Sequence, residues 1–155
     1  PAKLAQIKSA LEIGRRCQEV EVRESKQKIS SSEQISKILS PQMRDLKIEV
    51  FKVILLNSYN QIIEIYEENR GTVNYANPII REILQRALQK FAVSIICAHN
   101  HPSGNPLPSR EDKVFTHKMV EAGKIVQIKV LDHIIIGDDS HFSFADQGLI
   151  HIQRT

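Results

Sequence analysis

With 155 residues the sequence has the length of one ordinary domain, enough to bury about 68–70% of the surface its unfolded chain would expose, so a core is expected without staples. Its two cysteines, Cys17 and Cys97, form no CxxC pair, and no apolar run reaches the ~20 residues that cross a bilayer; this excludes a disulfide framework, an all-thiolate zinc site and a helical membrane span, and suits a reducing cytoplasm. The net charge is +3, with ten Lys and Arg against six Asp and Glu in residues 1–47 and eleven against twelve in the rest, a basic surplus that a solvated helix face explains as readily as nucleic acid does.

The chain begins at Pro1 with no methionine and no signal-peptide pattern, so further domains are expected upstream. Ala2, Leu4, Ile7, Ala10, Leu11 and Gly14 recur at three- and four-residue spacings, which predicts an amphipathic helix over 2–18 with one face in need of a partner. Glu19 to Ile29 loses that period under dense mixed charge and reads as a linker or extended arm, dividing the chain into an N-terminal unit, 1–29, and a domain, 30–155. Ser30 and Glu33 have capping-box spacing and predict a short helix ending near Ser40 and Pro41. Residues 48–56 (IEVFKVILL) and 61–67 (QIIEIYE), separated by Asn57, Ser58 and Asn60, predict a hairpin.

Pro78 stands where a first helical residue would, and Ile79, Ile80, Ile83, Leu84, Ala87, Leu88 and Phe91 keep helical period. Ala92 to Ala98 is an uninterrupted apolar run of strand length, as in a central strand covered on both faces. Ser109 opens a helix reaching Gly123; residues 125–131, 133–136 and 141–144 then read as strands, with 137–140 turning the last pair. This alternation predicts an α/β domain of three layers, a mixed sheet flanked by helices.

The chemistry concentrates in AHNHPSGNPLPSRED. His99 and His101 stand two apart at the end of a strand, so the period-2 alternation points both imidazoles to one side. The loop 102–108 carries three prolines and is short of conformational freedom, and Asp112 returns in the first turn of the next helix, where the macrodipole favours a charged carboxylate. Two imidazoles and one carboxylate leave a fourth tetrahedral position open, the form of a catalytic zinc site whose bound water ionises near pH ~7. One zinc ion per chain on His99, His101 and Asp112 is therefore expected. Cys97 and His133 lie near enough in pattern to join it, but packed, satisfied roles suit them better, as surface or core roles suit His117, His141 and His151.

HxHP, six residues, then SxxD resembles the JAMM/MPN+ metalloprotease signature, and HNHPSG with PSRED is similar to its bacterial RadC branch. The resemblance extends through Glu49 and Phe51, the following Leu56-Asn57, Arg70-Gly71-Thr72, Arg81-Glu82, LDHIIIG and SFADQGLI, covering roughly 30–150. It implies a JAMM fold related to cytidine deaminase, zinc on His99, His101 and Asp112, Glu49 as general base and Ser109 as a stabiliser of the tetrahedral oxyanion. Ser109 and Asp112 also suit a helix-capping pair. Asn100 departs from the Ser or Thr common at its position in the deubiquitinating branch. PAKLAQIKSALEIGRR looks like the last helix of the helix-hairpin-helix module that precedes this domain in RadC proteins, whose DNA-contacting hairpin would lie further upstream.

The expected function is that of a zinc-dependent peptidase or amidohydrolase in the bacterial cytoplasm, acting on a peptide or isopeptide-like bond of a peptide or protein substrate. Two alternatives are a DNA-associated repair or recombination protein, contacting DNA through its basic N-terminal region or an upstream module, and a protein-binding scaffold without turnover.

Overall fold

The apolar run beginning at Ala92 leads into the middle of a sheet. The computed structural model describes residues 1–24, 28–68 and 78–150. Its strands are β1 (Phe51–Leu56), β2 (Ile62–Glu67), β3 (Ser94–Asn100), β4 (Lys129–Ile136) and β5 (His141–Ser143), in the spatial order β2-β1-β3-β4-β5. β3 and β4 run parallel; the other neighbours pair antiparallel. Every residue of β3 is buried, as a strand covered on both faces requires.

The helices are α1 (Ala2–Glu24), α2 (Ser32–Met43), α3 (Ile80–Gln89) and α4 (Arg110–Ile125). Alternation along the strands sorts the core into two halves. Ile95 and Cys97 of β3, with Val53, Leu55 and Ile135, pack against Ile83, Leu84 and Ala87 of α3 and Met119 of α4. Ile96 and Ala98, with Ile54, Leu56, Ile134 and Ile136, pack against Ile35, Leu39 and Met43 of α2. The result is the expected three-layer α/β arrangement around an open mixed sheet. Each of the Val, Leu, Ile and Met side chains among these contributes about 1.5–3 kcal/mol on burial, and a one-residue slip of a central strand would exchange two whole faces.

The expected boundaries shift where helices hand over to strands. The run 125–131 is not a strand at its start, because α4 continues to Ile125, whose side chain is 83% exposed, and β4 begins at Lys129. α4 ends in a Schellman turn: Ile128 N–H donates to Gly123 C=O at 2.9 Å, and Gln127 takes the left-handed conformation with φ 58°. α3 ends the same way, Ala92 N–H donating to Ala87 C=O at 2.9 Å with Phe91 at φ 54°. Neither turn uses the glycine that would mark it in sequence. The expected break between 131 and 133 is a bulge inside one strand, since Ile95 pairs with Val130 and Ile96 with Asp132.

α2 is capped by Ser31 rather than Ser30: the Ser31 side chain accepts from Gln34 N–H, while Ser30 N–H donates to the Gln34 side chain at 2.8 Å. Pro41 sits inside its last turn without ending it, because Met43 is fully buried and Arg44 N–H reaches Ser40 C=O at 3.1 Å. The stretch from Glu19, expected as a linker, is helical through Glu24; it contains no Gly or Pro to stop a helix already nucleated. Residues 25–27 of that stretch, the Arg70-Gly71-Thr72 turn and His151 lie outside the described residues. Leu4, Ile7 and Leu11 of α1 remain exposed. No helix among the described residues is long and apolar enough to cross a membrane.

Candidate metal centre

Where β3 ends, its alternation carries the α3/α4 face past Cys97 to His99 and on to His101, one residue beyond the strand. The chain is pinned there by His101 N–H, which donates to Ile136 C=O at 3.1 Å. The loop then folds on the turn between β4 and β5: Gly104 N–H reaches His101 C=O at 2.9 Å, and Asp138 N–H reaches Gly104 C=O at 3.1 Å. Gly104 has φ +79°, and at Gly137 a Cβ would stand 2.4 Å from Gly104 O, so both glycines are demanded by this docking. The loop returns to α4, where Ser109 Oγ accepts from Asp112 N–H at 3.1 Å and Ser109 N–H donates to Asp112 Oδ2 at 2.7 Å. This reciprocal capping box fixes the Asp112 carboxylate toward the strand end.

The ligand atoms of His99, His101 and Asp112 all lie within 4.8 Å of one another. His99 Nε2 stands 3.0 Å from His101 Nε2 and 3.2 Å from Asp112 Oδ1, and His101 Nε2 stands 3.5 Å from Asp112 Oδ2. His99 is buried, whereas the His101 and Asp112 side chains keep 15% and 14% of their exposure, leaving the cluster open on one side. His101 Nδ1 faces Asn105 C=O at 2.8 Å; a carbonyl only accepts, so Nδ1 carries the hydrogen and Nε2 offers a bare lone pair. Burial pushes the Asp112 carboxyl up, but the adjacent His99 imidazole together with two hydrogen bonds from Ser109 outweighs it, holding Asp112 well below the usual carboxylate range.

Ser109, expected near the reacting carbonyl, has its hydroxyl directed at Asp112 Oδ2, 2.6 Å away. Glu49, expected at the start of a strand, lies two residues before β1 and is partly buried. The strand starts late because the Asn100 side chain replaces the ladder there: its Oδ1 accepts from Val50 N–H at 2.7 Å and its Nδ2 donates to Ile48 C=O at 3.0 Å. The β1–β3 ladder ends at the pairing of Phe51 with His99, two residues after Glu49. Cys97 is buried and its thiol is pushed up to about 12 by that burial and by the Asp132 charge, so no thiolate is offered to the cluster.

His133 packs, as expected, and also touches the cluster. Its Nε2 lies 2.9 Å from His99 Nδ1, its Nδ1 lies 2.6 Å from Thr116 Oγ1, and its ring stacks on Phe144 with centroids 5.0 Å apart. Burial, with the charges of His99 and His101, keeps its pKa well below the ordinary value. Thr116, Asn100 and Asn105 escaped sequence reasoning. Asn100, between the two histidines, stood only as a departure from a family pattern, and Thr116, one helical turn after Asp112, carried the one spacing signal that would have drawn notice.

The chain matches the family model of the RadC-like JAB domain over residues 29–149. It is 43% identical over 149 residues to a UPF0758 protein of Methanosarcina mazei, an alignment covering 96% of this chain and 65% of that protein. A UPF0758 protein of Desulforamulus reducens is 43% identical over 150 residues, with 97% and 66% covered. One from Bacillus cereus is 42% identical over 149 residues, with 96% and 66% covered. The chain thus spans just under two thirds of the length of these curated relatives.

Proposed function

We propose, because the chain belongs to the RadC-like JAB domain family, that its His99, His101 and Asp112 hold one zinc ion and that the centre hydrolyses a peptide or isopeptide-like bond. The observation that carries this reading is the 3.0 Å approach of the two Nε2 atoms beside a carboxylate. At that spacing the two nitrogens and the carboxylate converge closely enough to share one cation, and the donor set of two imidazoles and one carboxylate fits zinc with one position open. When bound, the metal supplies Lewis acidity that brings the pKa of a water down to ~7 and polarises the attacked carbonyl.

The chain's own residues do the rest. Glu49, the partly buried carboxylate two residues before β1, takes the proton from the water and returns it to the departing amine. Asp112 is kept ionised across neutral pH, with the Ser109 N–H and hydroxyl both donating to its Oδ2. Ser109 orients that carboxylate, and its hydroxyl turns to a developing oxyanion only by giving up the 2.6 Å bond to Asp112 Oδ2. The exposed edges of His101 and Asp112 set the side from which substrate approaches.

The test is metal content by mass spectrometry on protein purified without added metal, for the unmodified chain, His101→Ala and Asp112→Ala. About one zinc per chain, absent from both variants, is expected, followed by peptide hydrolysis that Glu49→Gln abolishes while zinc stays bound. No stoichiometric metal in the unmodified chain, even after zinc is supplied, overturns the reading in favour of a scaffold without turnover.

A further inference from the structure

We infer that Thr116 and His133 are positioning residues that set the tautomer of His99 and so tune the metal affinity of the centre, an inference that rests on the reading of His99 as a ligand. One set of hydrogens runs through three elements. Thr116 Oγ1 lies 2.6 Å from Asp112 C=O, an atom that only accepts, so the single hydroxyl hydrogen is committed there. Toward His133 Nδ1, also 2.6 Å away, Thr116 Oγ1 therefore accepts, and His133 carries its hydrogen on Nδ1. The neutral ring then presents a bare Nε2, to which His99 Nδ1–H donates at 2.9 Å. His99 in turn keeps Nε2 bare, aimed at His101 Nε2 and Asp112 Oδ1.

The relay begins at the backbone of one ligand residue, Asp112 on α4, and ends on the ring of another, His99 on β3, with His133 of β4 between them. Its members are buried: His133 and Thr116 are 1% and 3% exposed. Phe51, Phe115 and Phe144 lie against the His133 ring, which leaves it no water to exchange partners with. The bulge in β4 makes the relay possible. Because Ile96 pairs with Asp132 rather than Leu131, Cys97 pairs with His133, and the imidazole falls on the same face as His99. Without that extra residue Asp132 would occupy this face and His133 the opposite one. A histidine ligand whose second nitrogen is held this way binds metal about 10–100-fold more tightly than one left free.

The experiment measures zinc affinity by chelator competition on the full chain, with thermal unfolding of each variant to verify that it is folded. Thr116→Val preserves shape and removes the hydroxyl, and is expected to weaken zinc binding about 10-fold; Thr116→Ser restores the hydroxyl and the affinity. His133→Phe fills the same space without nitrogens and is expected to weaken binding about 100-fold, and adding Thr116→Val to it costs nothing further because the relay is already broken. Long-range proton–nitrogen magnetic resonance of the metal-free chain separates two kinds of failure. A hydrogen on His99 Nδ1 with no zinc bound at any concentration overturns the metal reading and leaves the relay standing. Equal zinc affinity in the unmodified chain and in Thr116→Val, or a His99 protonated on Nε2, overturns the relay.

Discussion

The two sides of the centre are built differently. On the strand side, His99 is buried, stacks beside Phe51 and reaches His133, which in turn meets Thr116, so its position is part of the core between β3, β4 and α4. On the loop and helix side, His101 and Asp112 are held by Asn105 C=O and by Ser109, at the rim of a proline-rich loop. The strand side places its imidazole by packing and the other side places its groups by local hydrogen bonds, so similar losses of metal should come with unequal losses of stability.

The largest effects should come from removing ligands. His99→Ala, His101→Ala and Asp112→Ala should each lose bound metal, but in urea unfolding of the metal-free proteins they should separate. His99→Ala strips the donor from His133 Nε2 inside the core and is expected to cost at least about 1–3 kcal/mol, with a cavity added. His101→Ala gives up one hydrogen bond at the rim and is expected to cost about 1 kcal/mol or less. Equal unfolding midpoints for these two variants would erase the distinction.

Next comes the joint between the two sides. At Gly137 a Cβ would meet the backbone oxygen of Gly104 at 2.4 Å, so Gly137→Ala must push the loop off the β4–β5 turn. An overpacking cost of about 1–3 kcal/mol is expected, together with weaker zinc binding through displaced His101 while His99 stays in place. Zinc affinity unchanged alongside lowered stability would mean that His101 is positioned without this docking.

This division also governs what was legible in the sequence. His99, His101 and Asp112 could be read because each depends on local periodicity: strand alternation for the pair, a helix first turn for the carboxylate. The three layers were legible for the same reason, from the apolar run of β3 and the period of α3. His133 could be seen but not assigned, because its face depends on a one-residue bulge that sequence patterning does not display. The strand boundaries slipped because Phe91 and Gln127 take left-handed conformations where glycine is the usual signal, and β1 shortened because an Asn100 side chain took over backbone partners. Long-range and side-chain-to-backbone bonds are what single-sequence reading lacks.

Acid should separate the two sides by pH window in the metal-free chain. His133 has a lowered folded pKa, so below its ordinary value of 6.5 the unfolded chain takes up a proton that the fold refuses, and stability falls as pH drops through and beyond that value. Asp112 is also depressed, but from an ordinary 3.8; its contribution is complete above that value and is lost only as pH falls further. Stability measured against pH should show the first decline vanish in His133→Phe and the second in Asp112→Asn. A first decline that persists in His133→Phe would assign it to other groups.

The smallest effect belongs to Ser109, whose side-chain bonds all go to Asp112. Losing the side-chain cap in Ser109→Ala is expected to cost about 1 kcal/mol, whereas Ser109→Gly, with its freer backbone at the cap, should cost a few tenths. Both variants equally lack the hydroxyl that donates to Asp112 Oδ2, so their zinc affinities should fall together even as their stabilities differ. If the affinities instead follow the stabilities, the hydroxyl acts on the metal centre only by holding the start of α4. If hydrolysis falls far more than affinity in both, Ser109 leaves Asp112 during turnover and meets the substrate, which would join the rim of the centre to its chemistry as well as to its geometry.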